Sequence, residues 1–331
     1  MALHPAVAAV RLAVRRTLAA LPPPSLPTDR VLLVACSGGA DSVALLSAAV
    51  FETRNRPFRV VGVTVDHGLQ ERSAEHADRV VAQMARMGAD ETASARVTVD
   101  ARGRGVEAAA REARYAVLEE IASRMGADAV LLGHTLDDQA ETVLLGLTRG
   151  SGGRSLAGMR PSFDRFHRPL LGLTREQTED VCRAEGLSFW ADPHNADPRF
   201  TRARIRHRVM PVLEQEIGPG VATALARTAE QLRPDMEALD GLADELLAEA
   251  RDAEGLRLGV LAGRPDALVR RVLRLAALDA GSPASELFHV HVVALRTLLG
   301  SAPHGQVQLP GHVTAHRTED HLRFRPTAVE S

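Results

Sequence analysis

The 331-residue chain contains no lysine: all 40 of its basic residues are arginine, so neither a Schiff base nor an aminoacyl adduct can form on a lysine of the protein. Any amine nucleophile must therefore arrive with a substrate. Cysteine is almost as scarce. Cys36 and Cys182 make no C-x-x-C pair, which leaves a disulfide framework, a zinc site and an iron–sulfur site unsupported and makes the cytoplasm the expected compartment. No apolar run is long enough to cross a bilayer, so a membrane partner is not expected. Charge of one sign is lacking too, since the formal net charge of -2 is near balance, and only local clustering could then matter to a polyanion. The spacing and the lysine of a G-x-x-x-x-G-K-[ST] phosphate loop are missing as well, so a Walker loop is excluded.

What is present centres on Val31-Leu-Leu-Val-Ala-Cys-Ser37-Gly38-Gly39-Ala40-Asp41-Ser42, a continuous apolar run that breaks into Ser-Gly-Gly and resumes as a helix-forming segment. It reads as a buried strand, a tight turn and a helix start. Gly38 and Gly39 reach backbone angles closed to other residues, and the first N–H groups of the following helix point at whatever lies against the turn. Ser37 and Ser42 add hydroxyl groups. Asp41 would repel a bare phosphate and becomes useful if a Mg²⁺ ion lies between it and the oxygens, so the turn predicts a metal-bound nucleotide polyphosphate.

Further along, helices are expected over Val43–Phe51, Ser73–Met87, Val106–Met125 and Thr135–Leu147. Strands are expected over Arg59–Val65, Ala95–Val99 and Ala129–Leu132. Strands alternating with helices at this spacing predict an α/β fold, a doubly wound parallel sheet whose ligands gather at the carboxyl ends of the strands. Before it, Ala2–Ala20 carries Arg11, Arg15 and Arg16 without an acid, and its apolar spacing predicts an amphipathic helix rather than a targeting segment. Beyond Pro211 the composition shifts to Ala- and Leu-rich helices at Val221–Glu249, Pro265–Ala280 and Ala284–Leu299. Short strands follow at Gln306–Leu309, Val313–His316 and Leu322–Phe324. The expected division is a nucleotide-binding domain over residues 1–215 and a smaller, mainly helical domain over 216–331.

The candidate functional residues fall at strand ends. Asp66-His67-Gly68-Leu69 reads as a turn that can reach a nucleotide over the first strand. Arg114 lies in G-V-E-A-A-A-R-E-A-R-Y, where an ion-paired helix face is the simpler reading and anion binding the functional one. In Gly133-His134-Thr135-Leu136-Asp137-Asp138-Gln139-Ala140-Glu141, capping from Thr135 accounts for one acid. Asp138 and Glu141 share a helix face that could hold a cation, either a metal or an ammonium group, and His134 is the acid–base candidate of the run. Arg149 and Arg154 flank a Gly-Ser loop. From Arg199 through Arg202, Arg204 and Arg206 to Arg208 the sequence holds five arginines and no acid, a density that predicts a phosphate backbone.

Taken together, S-G-G-A-D-S, V-D-H-G-L, G-V-E-A-A-A-R-E-A-R-Y, G-H-T-L-D-D-Q-A-E-T, R-G-S-G, R-P-L-L and W-x-D-x-x-N followed by R-x-R-I-R resemble the tRNA(Ile)-lysidine synthases, PP-loop enzymes of the N-type ATP pyrophosphatase superfamily. The resemblance spans Val31 to Leu213. It implies that ATP adenylates the oxygen on C2 of the wobble cytidine in the CAU-anticodon isoleucine tRNA with release of pyrophosphate, after which the side-chain amine of free L-lysine attacks C2 and displaces AMP to leave lysidine. It further implies that Ser37, Gly38, Gly39, Ala40, Asp41 and Ser42 grip ATP, with Asp41 on Mg²⁺. Arg114, Asp138 and Glu141 would hold lysine, Asp137 would support them or the metal, and His67 and His134 would lie near the reacting base. The arginine run, with Arg149 and Arg154, would meet tRNA; stacking on bases would fall largely to arginine planes, because aromatics are only 3% of the chain. Thr135 departs from a second histidine common in the family. A homodimer is compatible with the sequence. The alternative is a tRNA thiolase on the same fold, which needs paired cysteines.

Overall fold

The computed structural model describes residues 3–23, 29–66, 68, 73–97, 106–148, 150, 152–192, 197–300 and 304–327. Contacts divide the chain into two units, Met1–Leu145 with Gly158–Arg227, and Gly146–Ala157 with Thr228–Ser331. The expected division at residue 215/216 contains no counterpart to the short excursion at 146–157.

The first unit is built on strands β1 (Arg30–Ala35), β2 (Phe58–Asp66), β3 (Glu91–Arg96), β4 (Ala127–Leu132), β5 (Ser162–Phe163) and β6 (Phe166–His167), in the order β3-β2-β1-β4-β6-β5. Every pairing is parallel except β5 with β6. Helices are α1 (Pro5–Ala20), α2 (Ala40–Thr53), α3 (Ser73–Arg86), α4 (Val106–Met125), α5 (Leu136–Thr148, its last turn in the second unit), α6 (Gly153–Leu156, in the second unit), α7 (Arg175–Ala184), α8 (Thr201–Arg204) and α9 (Met210–Glu216). The central strand explains the arrangement. Leu32 and Val34 pack with the apolar sides of α1, α2, α3 and α7, while Val31 and Leu33 pack with Leu118 and Ala122 of α4, so β1 is covered on both faces as a parallel strand must be.

The amphipathic N-terminal helix forms as expected, burying Val7, Val10, Val14 and Leu18. Its arginines find acids on other elements: Arg11 reaches Glu185 at 2.6 Å and Arg15 grips Glu52 at 2.8 and 3.0 Å. Two expectations shift. The third strand lies at 91–96 rather than 95–99, because the ladder with β2 runs from Val61↔Glu91 to Asp66↔Arg96 and this small-residue edge strand has no hydrophobic pattern to announce it. The β5–β6 hairpin, two residues a side, is too short to leave a periodicity.

The second unit packs α10 (Val221–Ala250), α11 (Leu258–Leu261), α12 (Asp266–Asp279) and α13 (His289–Gly300) with an antiparallel sheet. Its strands are β7 (Arg251–Asp252), β8 (Gly255–Arg257), β9 (Gln306–Leu309), β10 (Val313–Arg317) and β11 (His321–Pro326), in the order β7-β8-β11-β10-β9. Leu246, Leu256, Val272, Leu273, Leu295 and Leu322 form its core. The expected helix from Ala284 starts only at His289, because the N–H groups of Glu286 and Leu287 close a turn on the Pro283 carbonyl. Among the described residues no helix is long and apolar enough to cross a membrane.

Gly38 adopts φ +83°, and a Cβ there would sit 2.8 Å from Val80 Cγ2; Gly126 has φ +63° with open space around it. Gly38→Ala is therefore expected to cost about 2–4 kcal/mol, conformational strain plus a core clash, against about 1 kcal/mol for Gly126→Ala. Denaturant unfolding of the two variants side by side checks the difference.

Candidate active site

At the carboxyl end of β1 the chain turns through Ser37, Gly38 and Gly39 into α2, whose N-cap residue Gly39 supplies no side-chain cap. The first N–H groups of the helix are thus left for a ligand. The turn is held from within by Ser42. Its hydroxyl accepts from the Ser37 N–H (3.1 Å) and donates to the Gly39 carbonyl (2.9 Å). From outside, the His76 ring nitrogen meets the Ser37 carbonyl at 3.0 Å and the Trp190 N–H donates to the Gly38 carbonyl at 2.8 Å, with the two rings 3.8 Å apart. Gly133, at the end of β4, lies so close to α2 that a Cβ would sit 3.1 Å from the Asp41 and Ser42 backbone. That closeness brings the two strand-end motifs into one cavity of about 680 Å³.

Ser37, Gly39, Ala40, Asp41, Ser42, Arg114, His134, Asp138 and Arg206 all line this cavity, together with Asp66, His76, Arg175, Trp190 and His207. Its electrostatics are set by acids meeting guanidinium groups. Asp138 accepts from the Thr135 N–H (2.9 Å) and hydroxyl (3.1 Å), from Arg175 (3.1 Å) and from Arg206 (3.2 Å). Burial pushes against ionisation, but Arg175, Arg206 and the Thr135 N–H hold its carboxyl below the usual range. Thr135 is thus the anchor of Asp138.

Glu141 does not face the cavity. Its carboxylate, 2% exposed, is gripped by Arg206 at 2.7 and 3.1 Å, and Arg202 lies 3.8 Å away. Asp137 also turns aside, accepting the backbone N–H of Arg175 at 2.8 Å and so joining the starts of α5 and α7. In this arrangement Glu141, expected at the lysine site, is engaged by arginines of the 199–208 run, and Asp137, expected to be catalytic, by the start of α7.

Asp41 receives a hydrogen bond from the Thr178 hydroxyl and lies 3.5 Å from Arg175. Burial outweighs both and raises its carboxyl to about 6. A carboxylate under-compensated in this way, on a cavity wall beside an open helix start, fits a cation that would be held chiefly by phosphate oxygens. Among the described residues no cluster of three His, Cys, Asp or Glu side chains could hold a metal by itself, so Mg²⁺ with one protein carboxylate is the arrangement the donor set suits.

His134 departs from expectation. Burial and the neighbouring Arg114 push it down to about 3, so it is a neutral imidazole at physiological pH and not a proton acceptor titrating there. His67 and Arg149 lie outside the described residues.

The arginine run also turns out differently. A π-turn over residues 205–209, closed by the Met210 N–H on the Ile205 carbonyl, lies between α8 and α9. Arg202 and Arg206 point inward, so the anions that make the run tolerable are, for these two, the acids of α5. Arg204 donates to the carbonyls of Pro198 and Arg199, and Arg199 pairs with Asp197. Arg208 alone of the run is exposed with no partner among the described residues. Arg154, in the second unit, pairs with Asp240 at 2.6 Å. Arg175, Thr178 and His76 escape a reading of the sequence, although Arg175 follows the recognisable capping residue Thr174, whose box with Gln177 forms; Trp190 enters it only as the first residue of W-x-D-x-x-N.

A glycine turn with an open helix start, hydroxyls on either side and an acid in place of the Walker lysine defines a PP-loop nucleotide-binding enzyme. Residues 11–213 match the family model of the PP-loop domain, and residues 256–323 that of the TilS substrate binding domain. The chain is 48% identical to the tRNA(Ile)-lysidine synthase of Streptomyces coelicolor over 97% of this chain and 99% of that one. It is 50% identical to that of Thermobifida fusca over 93% and 94%. A solved structure, the U34-tRNA thiolase NcsA from Methanococcus maripaludis, shares the fold at a TM-score of 0.56 and 18% identity, covering 69% of this chain and 79% of that one. The chain belongs to the tRNA(Ile)-lysidine synthase family.

Because the Asp41 carboxyl is raised from 3.8 to about 6, the stability it contributes is full below about pH 3.8 and lost as pH rises through about 6. Asp41→Asn is therefore expected to unfold with a free energy about 2–3 kcal/mol above the parent at pH 8, with the gain vanishing towards pH 4. Calorimetry of the metal-free proteins across that range checks it.

Proposed function

We propose that this protein ligates free lysine to C2 of the wobble cytidine of the CAU-anticodon isoleucine tRNA through an adenylated cytidine, converting ATP to AMP and pyrophosphate and leaving lysidine. The observation that carries the reading is the meeting of the glycine turn with the acidic start of α5 in one cavity, in a chain that aligns over nearly its whole length with lysidine synthases. The polyphosphate would lie on the turn and the open N–H groups of α2. Asp41 would hold Mg²⁺, an ion that offsets charge developing on pyrophosphate.

Asp138 is the carboxylate we assign to the ammonium of lysine. Arg114, half-buried with its Nε shielded and unpaired, faces the same cavity and suits the lysine carboxylate or a phosphate. An ammonium can reach Asp138 only in competition with Arg206 and Arg175, so lysine binding is expected to displace at least Arg206. Because the chain has no lysine, no amine of its own side chains competes for the adenylated base. Arg208, the free arginine of the run, is assigned to a tRNA phosphate, and residues 216–331 to the body of the tRNA, in keeping with the substrate-binding family match within them. A thiolase reading has little support: Cys36 and Cys182 are both buried, and burial pushes the Cys182 thiol up to about 12.

Labelled lysine, ATP and the CAU-anticodon transcript incubated with the enzyme are expected to give label in RNA with equimolar AMP and pyrophosphate. Absence of label with AMP still released would overturn the choice of nucleophile. Asp138→Asn is expected to raise KM for lysine about tenfold to a hundredfold. Binding of the transcript should weaken steeply with added salt, a slope that Arg208→Ala lowers by about one phosphate contact.

A further inference from the structure

Behind His134, on the side away from the cavity, lies a guanidinium group that the proposed chemistry has not yet used. Arg168 is 6% exposed, and its three bonds spread over three partners. Nε–H donates to His134 Nδ1 at 3.2 Å, one terminal nitrogen to the Tyr115 hydroxyl at 2.9 Å and the other to the Arg160 carbonyl at 2.5 Å. Among the described residues no carboxylate pairs with it. Tyr115 is itself held by Arg111, at 3.2 Å. The arginine is thus buried, uncompensated by an acid and rigidly aimed at one ring nitrogen.

A guanidinium group donates and never accepts. Nδ1 of His134 must then present its lone pair, and the neutral ring must carry its proton on Nε2. Protonation would set an Nδ1–H against the Arg168 N–H and bring two positive charges together. Of the other charged groups around the ring, Arg114 and Arg111 on α4 oppose an imidazolium and Asp138 on α5 favours it, the arginines and burial prevailing. Nε2 has no partner among the described residues, and the ring lines the cavity.

We propose that Arg168 is a positioning residue that locks His134 as a neutral Nε2–H donor, so that the histidine offers the nucleobase substrate a hydrogen bond, at a ring nitrogen or the activated oxygen, rather than exchanging a proton with it. The bond strengthens as electrons move onto that acceptor while the amine adds to C2. The assignment of the acceptor rests on the ligation of lysine to cytidine proposed above; the locked tautomer does not.

The test is two-bond ¹H–¹⁵N spectroscopy of the full-length protein labelled at histidine, with the His134 signals identified by their loss in His134→Gln. The expected spectrum shows unprotonated Nδ1 and protonated Nε2, unchanged between about pH 5 and about pH 9. In Arg168→Met the tautomers should mix, the ring should titrate nearer its ordinary value, and kcat should fall about tenfold to a hundredfold with an acidic limb while KM for ATP stays within about twofold. Arg168→Gln, whose amide can still donate to Nδ1, should retain the tautomer and recover most of kcat.

A wild-type ring protonated on Nδ1, or one titrating between about pH 5 and about pH 8, overturns the proposal whatever the activity. So does Arg168→Met with an unchanged tautomer and an unchanged kcat. If the wild-type enzyme fails to attach lysine to RNA while the spectrum is as expected, it is the proposed function that fails and not the locked ring.

Discussion

Three carboxylates, one buried and two half-buried, at the carboxyl end of one sheet would not be tolerated without cations supplied by other parts of the chain, and that constraint organises the site. Asp41 from α2, Asp138 and Glu141 from α5 meet Arg175 from α7 and Arg202 and Arg206 from the turn between α8 and α9. Removing an arginine from this set leaves a carboxylate unpaired, costing about 3–5 kcal/mol, whereas the intact set contributes little net stability. The network therefore works as a specification of position. It holds the starts of α2, α5 and α7 around a common cavity and sets how far each acid is ionised.

The two ends of the network differ in character. Asp138, surrounded by donors, is held ionised; Asp41, with a hydroxyl and one guanidinium, is pushed to about 6. The difference separates an acid suited to an organic cation from one whose charge is best completed by a metal and phosphates. For His134, burial and the neighbouring arginines outweigh Asp138, so it loses the titration near neutrality that makes histidine a proton carrier elsewhere. One architecture thus places three ionisable groups within one cavity and gives each a different protonation behaviour.

The parallel sheet makes this possible because strand ends gather helix starts. β1 is buried on both faces, β4 runs beside it, and Gly133, just after β4, lets its own backbone lie close against the start of α2. Polar groups that would be scattered over a surface then share one low-dielectric cavity, where charge–charge interactions are stronger than in water. The second unit, with its antiparallel sheet and Leu-rich helices, has a core of its own.

Much of this was legible in the chain. The glycine turn, the alternating strands and helices, the N-terminal amphipathic helix and the acidic start of α5 are local patterns, fixed by backbone freedom at glycine, by periodic burial and by caps. The lack of lysine and the poverty of cysteine set the chemical limits before any fold was known. What local pattern does not carry is partnership. Asp137, Asp138 and Glu141 look alike in sequence, yet one caps a neighbouring helix, one faces the cavity and one binds an arginine 65 residues away. The five arginines of 199–208 look like a single basic patch, yet a π-turn and long-range pairing send two of them into the site. The sequence by itself determined which elements form and which charges exist. Tertiary structure alone decided which charges meet, because the energy of a buried ion pair depends on distance and burial that only the folded chain defines.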